Sequence, residues 1–144
     1  MDQIVLLIVI PIIAIIIAQT LKVIFLSRTQ KITWKTLNSY GAMPSGHTAY
    51  VSAVVTQIFL MEGISTAFAV ALALAVLTIR DAVGFRWHLQ QHARTINAII
   101  QEMPRADQKR FSKAEESLGH RFSQVVVGIL IGILTPVIIQ LLWS

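Results

Sequence analysis

The chain has 144 residues, 55% of them hydrophobic and only 13% charged, with a formal net charge of +5. A soluble domain carries about 25% charged residues, so the composition excludes an ordinary soluble domain and points to the membrane. The sequence contains no cysteine, which excludes disulfides and thiolate chemistry, and the length suits one integral membrane domain over residues 1–144 without a second domain.

The first predicted element runs from about Ile4 to Phe25, long enough for the roughly 20 residues that a bilayer core requires. No basic region precedes it and no small-residue cleavage site follows, so it reads as a retained helix rather than a removable signal peptide. Pro11 is a candidate bend. Gln19 and Lys22 lie three apart near its end and share a face. Lys22 admits two readings, a lysine snorkelling to the interface or a member of a functional site.

The second predicted span covers residues 45–62 and the third residues 64–82, joined by a tight turn at Glu62–Ser65. The third is expected to continue as a helix beyond the membrane through Arg86–Ile100, and its alanines (Ala67, Ala69, Ala71, Ala73, Ala75) suit close helix packing. The charged stretch Glu102–Ser117, with Pro104 inside it, reads as a surface loop or short amphipathic helix. The fourth span runs from Phe122 to Trp143, where Gly128 and Gly132 form a small-xxx-small pair that more often marks packing than a dimer seam. The expected fold is therefore all-α, a polytopic membrane bundle of four transmembrane helices with helix 3 extended beyond the membrane. So small a bundle leaves room for a homodimer through span four.

All 12 Lys and Arg residues fall in or beside the loops after spans one and three: Lys22, Arg28, Lys31, Lys35, Arg80, Arg86, Arg94, Arg105, Lys109, Arg110, Lys113 and Arg121. The opposite side carries only Asp2 and Glu62. The positive-inside rule makes the basic side cytoplasmic and puts both termini outside. Arg105, Lys109, Arg110 and Lys113 are expected to attract anionic headgroups. The membrane already accounts for these charges, so no nucleic-acid partner is expected; the partners are the bilayer and a lipid.

The same topology gathers a reactive set at that face. Gly41-Ala42-Met43-Pro44-Ser45-Gly46-His47-Thr48 opens span two, Leu118-Gly119-His120-Arg121 opens span four, and Arg80, Asp81, Gly84 and Arg86 lie where span three leaves the membrane. A helix N-terminus presents free amides and the positive end of its dipole, which favours an anion. Ser45 and Gly46 let backbone amides approach a phosphate, and arginines bind phosphate oxygens in a bidentate way. Histidine exchanges protons near neutral pH and can attack phosphorus. One histidine attacking a phosphoryl group, the other protonating the leaving oxygen, and a carboxylate orienting the nucleophile would form a phosphate-handling site.

These motifs, Gly-x-Met-Pro-Ser-Gly-His-Thr-Ala, Asp81-Ala82-x-Gly84-x-Arg86 and Leu118-Gly119-His120 followed by Val125-x-x-Gly128, resemble the divergent branch of the type 2 phosphatidic acid phosphatase and vanadium haloperoxidase superfamily. The resemblance runs roughly from Gln19 to Gly132. It implies that His120 becomes phosphorylated, that His47 is the general acid, and that Ser45 and Gly46 contact phosphate. Lys22 would match the lysine of the first family motif, and Arg86, then Arg80 or Arg121, the phosphate-binding arginines. It further implies a site without metal or cofactor, acting on a phosphomonoester or diphosphate of an isoprenoid or glycerophospholipid.

The chain departs from the family pattern in two places. No Arg-Pro occurs, since Thr29 follows Arg28, and Gln124 stands four residues after His120 where the family has Asp. Asp81 is the best substitute orienter and Glu116 the second. Two rival functions stay open. His88 and His92, four apart on a helix, could join His47 and His120 in a metal-dependent hydrolase. Alternatively, the motif could survive as lipid-phosphate recognition without catalysis.

Overall fold

A computed structural model describes residues 3–29, 43–114, 116 and 122–143, and within them every side chain except those of residues 28, 29, 85–87 and 106. The elements are α1 (Gln3–Thr29), α2 (Gly46–Glu62), α3 (Thr66–Arg80), a π-helical turn (Asp81–Phe85), α4 (Arg86–Glu102), the short α5 (Arg105–Gln108) and α6 (Phe122–Trp143). No strand occurs among the described residues, so the fold is all-α. Three helices are long and apolar enough to cross a membrane: Gln3–Ser27, the continuous run Thr66–Glu102, and Phe122–Trp143. α2 is shorter, at 17 residues, and runs through the middle of the bundle against α1, α3 and α6.

Lipid tails are as apolar as leucine, so helices in a bilayer associate through close packing rather than through hydrophobic burial. α2 meets that requirement with small residues. Its buried face carries Gly46, Thr48, Ala49, Ser52 and Ala53. A Cβ added at Gly128 of α6 would lie 2.6 Å from the Ser45 carbonyl oxygen and 3.1 Å from Thr48 Cβ. One added at Gly132 would meet the Ala49 carbonyl oxygen and lie 2.6 Å from Ser52 Cβ. Both glycines and their neighbours advance by four residues together, so α2 and α6 are parallel and start at the same end. The glycine pair thus serves packing inside the chain.

α1 runs the other way. Its buried stripe is Ile10, Ala14, Ala18 and Lys22, spaced by four residues as one helical face requires. Ile15 and Gln19 reach the start of α2 at Gly46. At the far end Gln3, Leu6 and Ile10 line a cavity with Gln57, Leu60 and Met61 of α2 and Ile139, Gln140 and Trp143 of α6. α3 returns antiparallel to α2 through a tight turn. Gly63 takes a positive φ of 68°, which glycine adopts without strain, and Ser65 accepts a hydrogen bond from the Phe68 amide at 3.2 Å. Phe59 and Phe68 close the hairpin with ring centroids 5.5 Å apart.

Beyond the bundle α4 carries a returning strap. Gln108 donates to the Gln101 and Met103 carbonyls at 3.1 and 2.7 Å, closing the end of α4. Asn97, buried on α4, then holds the chain as it comes back: its amide nitrogen donates to the Ala114 carbonyl at 2.9 Å and to Glu116 Oε1 at 2.6 Å, and its oxygen accepts from the Ala114 amide at 2.8 Å. Gln90, two turns nearer the bundle, donates to the Glu116 carbonyl at 2.6 Å. The strap therefore runs antiparallel along α4 toward the start of α6.

Two outcomes follow. Gly132→Ala should destabilise the bundle by about 1–3 kcal/mol, because its methyl group meets backbone rather than a yielding side chain. Gly84→Ala, where an added Cβ meets nothing within 4 Å, should not destabilise it; thermal unfolding in detergent measures both. Asn97→Ala should leave the bundle intact and release the strap, read as faster proteolysis after Lys109, Arg110 and Lys113.

Candidate functional site

The bundle's topology brings the end of α1, the start of α2, the end of α3 and the start of α6 to one mouth. The start of α2 is its centre. Ser45 is the N-cap, with extended backbone (φ −78°, ψ 111°), but its side chain accepts no bond from the helix amides. Instead the Thr48 hydroxyl donates to Ser45 Oγ at 2.8 Å. The Ser45 amide donates to the Gln124 carbonyl at 3.1 Å, tying the mouth of α2 to the first turn of α6. Ser45 is 1% exposed and Thr48 fully buried. Ser45 thus leaves the first-turn amides of α2, at the positive dipole end of the helix, without its own side-chain cap.

Gly46 faces α1. A Cβ there would lie 3.0 Å from Gln19 Nε2 and 3.3 Å from Ile15 Cγ1, so only glycine lets the two helices approach without displacing Gln19. Lys22 lies one turn beyond Gln19 toward the mouth. It is 8% exposed, so it does not snorkel along the lipid face but ends the buried stripe of α1. Lys22 and the N-terminus of α2 lie at the same end of the bundle, an ammonium and the positive end of a helix dipole, groups that favour an anion.

His47 is exposed on the opposite side of the same turn, and Arg80 and Asp81 are exposed where α3 ends. On an unbroken α-helix Arg86, five residues on, points away from Asp81, and a break at Gly84 would be one way to bring them to a common face. The helix is not broken: it continues through the five-residue π turn Asp81–Phe85. A π turn inserts one extra residue into the helical winding and shifts everything after it, a device frequent at functional sites. Its register change comes immediately before Arg86, whose side chain lies outside the described residues. The turn packs against α6, next to the mouth.

His120 and Arg121 lie outside the described residues, as do Gly41 and Ala42 at the start of the first motif. In sequence, His120 and Arg121 fall between Glu116, held on α4, and Phe122, where α6 begins. Glu116, the second candidate orienter, is engaged elsewhere: one oxygen accepts from Asn97 and the other lies 3.9 Å from Arg94 Nε. Gln124, which replaces the family's carboxylate, is buried and gives its backbone carbonyl to Ser45. His88 and His92 are exposed on α4.

Sequence reasoning missed Thr48 and Asn97. Thr48 stands three residues after Ser45, helical spacing that allows the hydroxyl pair. Asn97 stands four after the buried Ala93 on the one inward stripe of α4, where an amide calls for buried partners.

The family model described as "Divergent PAP2 family" matches residues 4–135. The uncharacterized membrane protein YuiD of Bacillus subtilis (strain 168) is 37% identical over 139 residues, covering 88% of this chain and 88% of its own length. No solved structure matches the chain significantly.

The anion-favouring end of the bundle has a direct assay. Inorganic phosphate should raise the thermal midpoint of the wild type. Lys22→Met should bind phosphate at least about tenfold more weakly, the loss of one charged contact. Equal stabilisation of both proteins would remove Lys22 from the site.

Proposed function

The chain belongs to the Divergent PAP2 family, and from that premise we propose that this membrane protein is a lipid phosphate phosphatase. The observation that carries the reading is the uncapped start of α2, Ser45-Gly46-His47, set beside the buried Lys22. It offers what a phosphate ester needs: backbone amides and an ammonium for the equatorial oxygens, and an exposed histidine one residue beyond.

In the proposed reaction His120 attacks phosphorus and forms a phosphohistidine. The P–O bond to the lipid breaks, and His47 gives its proton to the departing oxygen. Water activated by His47 then attacks the phosphohistidine, releasing phosphate and restoring His120. Lys22, the α2 amides and arginines from Arg80, Arg86 and Arg121 stabilise the charge that builds on the phosphoryl oxygens. Asp81, the first residue of the π turn, is assigned to orient a histidine. The scheme uses neither metal nor cofactor.

The substrate is a membrane-anchored phosphomonoester or diphosphate, on an isoprenoid or a glycerophospholipid. The mouth carries the chain's positive charge, so the positive-inside rule assigns it to the cytoplasmic face, with both termini outside. The bacterial relative, named as a membrane protein, favours a bacterial cytoplasmic membrane. Arg105, Lys109, Arg110 and Lys113, all exposed at the end of the α4 strap, would attract anionic headgroups to that face.

Phosphate release by purified protein in detergent with EDTA, from a panel of lipid mono- and diphosphates, is the test. The wild type should release phosphate despite the chelator, and His120→Ala and His47→Ala should each be at least about 100-fold slower. Full activity in His120→Ala would overturn the phosphohistidine. Loss of release on chelation would favour a metal-dependent hydrolase, and lipid-phosphate binding without any release a recognition protein.

A further inference from the structure

A second feature adjoins the mouth. α2 and α3 do not close on each other along their outer side. They leave an apolar cavity of about 490 Å³, open to the side of the bundle. Tyr50, Val51, Val54 and Ile58 of α2 form one wall, and residues including Ala67 and Ala71 of α3 form the other.

The α2 wall is the His47 face. At 100° per residue, positions 47, 50, 51, 54 and 58 fall within one stripe of the helix, with His47 near its middle. The opposite face, with Thr48, Ala49 and Ser52, is spent on α6. The groove thus lies on the same stripe as the exposed histidine and begins about one turn below it, at Tyr50.

Its depth also matches. At about 1.5 Å per residue, Tyr50 lies about 4.5 Å and Ile58 about 16.5 Å along the axis from His47. Half of a bilayer core of about 30 Å is about 15 Å. A lipid whose phosphate rests at the mouth therefore has its hydrocarbon chain directed along this stripe, from the interface to the bilayer midplane.

We propose that the α2–α3 groove is the tail subsite of the enzyme, holding one hydrocarbon chain of the phosphorylated lipid while its headgroup sits at Ser45-Gly46-His47. This rests on the reading of the mouth as a phosphate site. The tail comes from the bilayer and not from water, so the groove contributes little affinity of its own. Its work is positional: it fixes where the lipid's oxygen leaves the membrane relative to His47 and the α2 amides. Selection for a phosphorylated lipid over other lipids comes from the headgroup, and the groove admits the substrate sideways from the leaflet.

The test uses the full chain in phosphatidylcholine vesicles. One probe is phosphatidic acid with a diazirine midway along an acyl chain, and the other is phosphatidylcholine with the same chain. After photolysis, the phosphatidic acid probe should label the α2–α3 groove about tenfold more than the phosphatidylcholine probe, the ratio that one charge-assisted headgroup contact sustains. Labelling of the outer face of α6 at Leu134 and Ile138 should be equal for both. Val54→Phe and Ala71→Phe, two independent fillings of the groove, should each abolish the excess and leave the α6 signal unchanged, which shows that the bundle is intact. Equal groove labelling by the two probes, or an undiminished excess in both filled variants, would overturn the subsite. Phosphate release in the same vesicles reports on the chemistry separately: groove labelling with no release would leave the subsite standing and overturn the hydrolase.

Discussion

The contact between α2 and α6 is the constraint on which the rest of the molecule depends. In a bilayer there is no water to drive two apolar helices together, so their separation is set by how closely their surfaces fit. Gly128 and Gly132 bring α6 onto the backbone of α2 at Ser45, Thr48, Ala49 and Ser52. That approach makes the helices parallel and places both of their N-termini at the same membrane face. It also brings the Ser45 amide within 3.1 Å of the Gln124 carbonyl. Without it, the starts of α2 and α6 would have no reason to share a mouth.

The polar character of α2 follows from this placement. Thr48, Ser52 and Gln57 are buried within the bundle, where neighbouring helices take the position that lipid would otherwise hold. A helix with so many hydroxyl and amide groups would be costly on the outside of the bundle. In the centre it can carry a histidine and a polar N-terminus to the interface. The apolar work is left to α1, α3 and α6. The mouth is thus polar because the helix that makes it is sheltered, and Lys22 and the positive dipole end of α2 both lie at this end of the bundle.

Much of this was legible in the sequence, and the parts that were not have physical reasons. The long apolar runs located α1, α3 and α6 to within a few residues, and the Gly63 turn located the α2–α3 hairpin. The small-xxx-small pair announced close packing, although its partner helix emerged only from the structure. Lys22 was ambiguous because a lysine near the end of a span satisfies both a snorkelling and a buried role. The stripe Ile10, Ala14, Ala18, Lys22, bearing two alanines, was the discriminating signal, since small residues at that spacing face another helix. The π turn had no such signal. Asp81–Phe85 has an ordinary composition, and the choice between α and π winding depends on how the helix is held at both ends. Asn97 was equally hidden, because its partners Ala114 and Glu116 lie 17 and 19 residues away.

The departures from the wider superfamily pattern acquire a structural sense in this arrangement. Where a carboxylate is expected four residues after His120, the chain has Gln124, and the backbone of that residue is committed to Ser45. Glu116 is committed to Asn97 and faces Arg94. Both engagements are architectural: one joins α2 to α6, the other holds the strap that leads to α6. A bundle this small has few elements with which to build an orienting shell, so residues near the second histidine hold the backbone together. The burden of orienting a histidine then falls on the end of α3. There the π turn shifts the helical register between Asp81 and Arg86, beside α6. In the proposed reaction, Asp81 at this turn of the third span takes the orienting role that Gln124 of the fourth cannot fill.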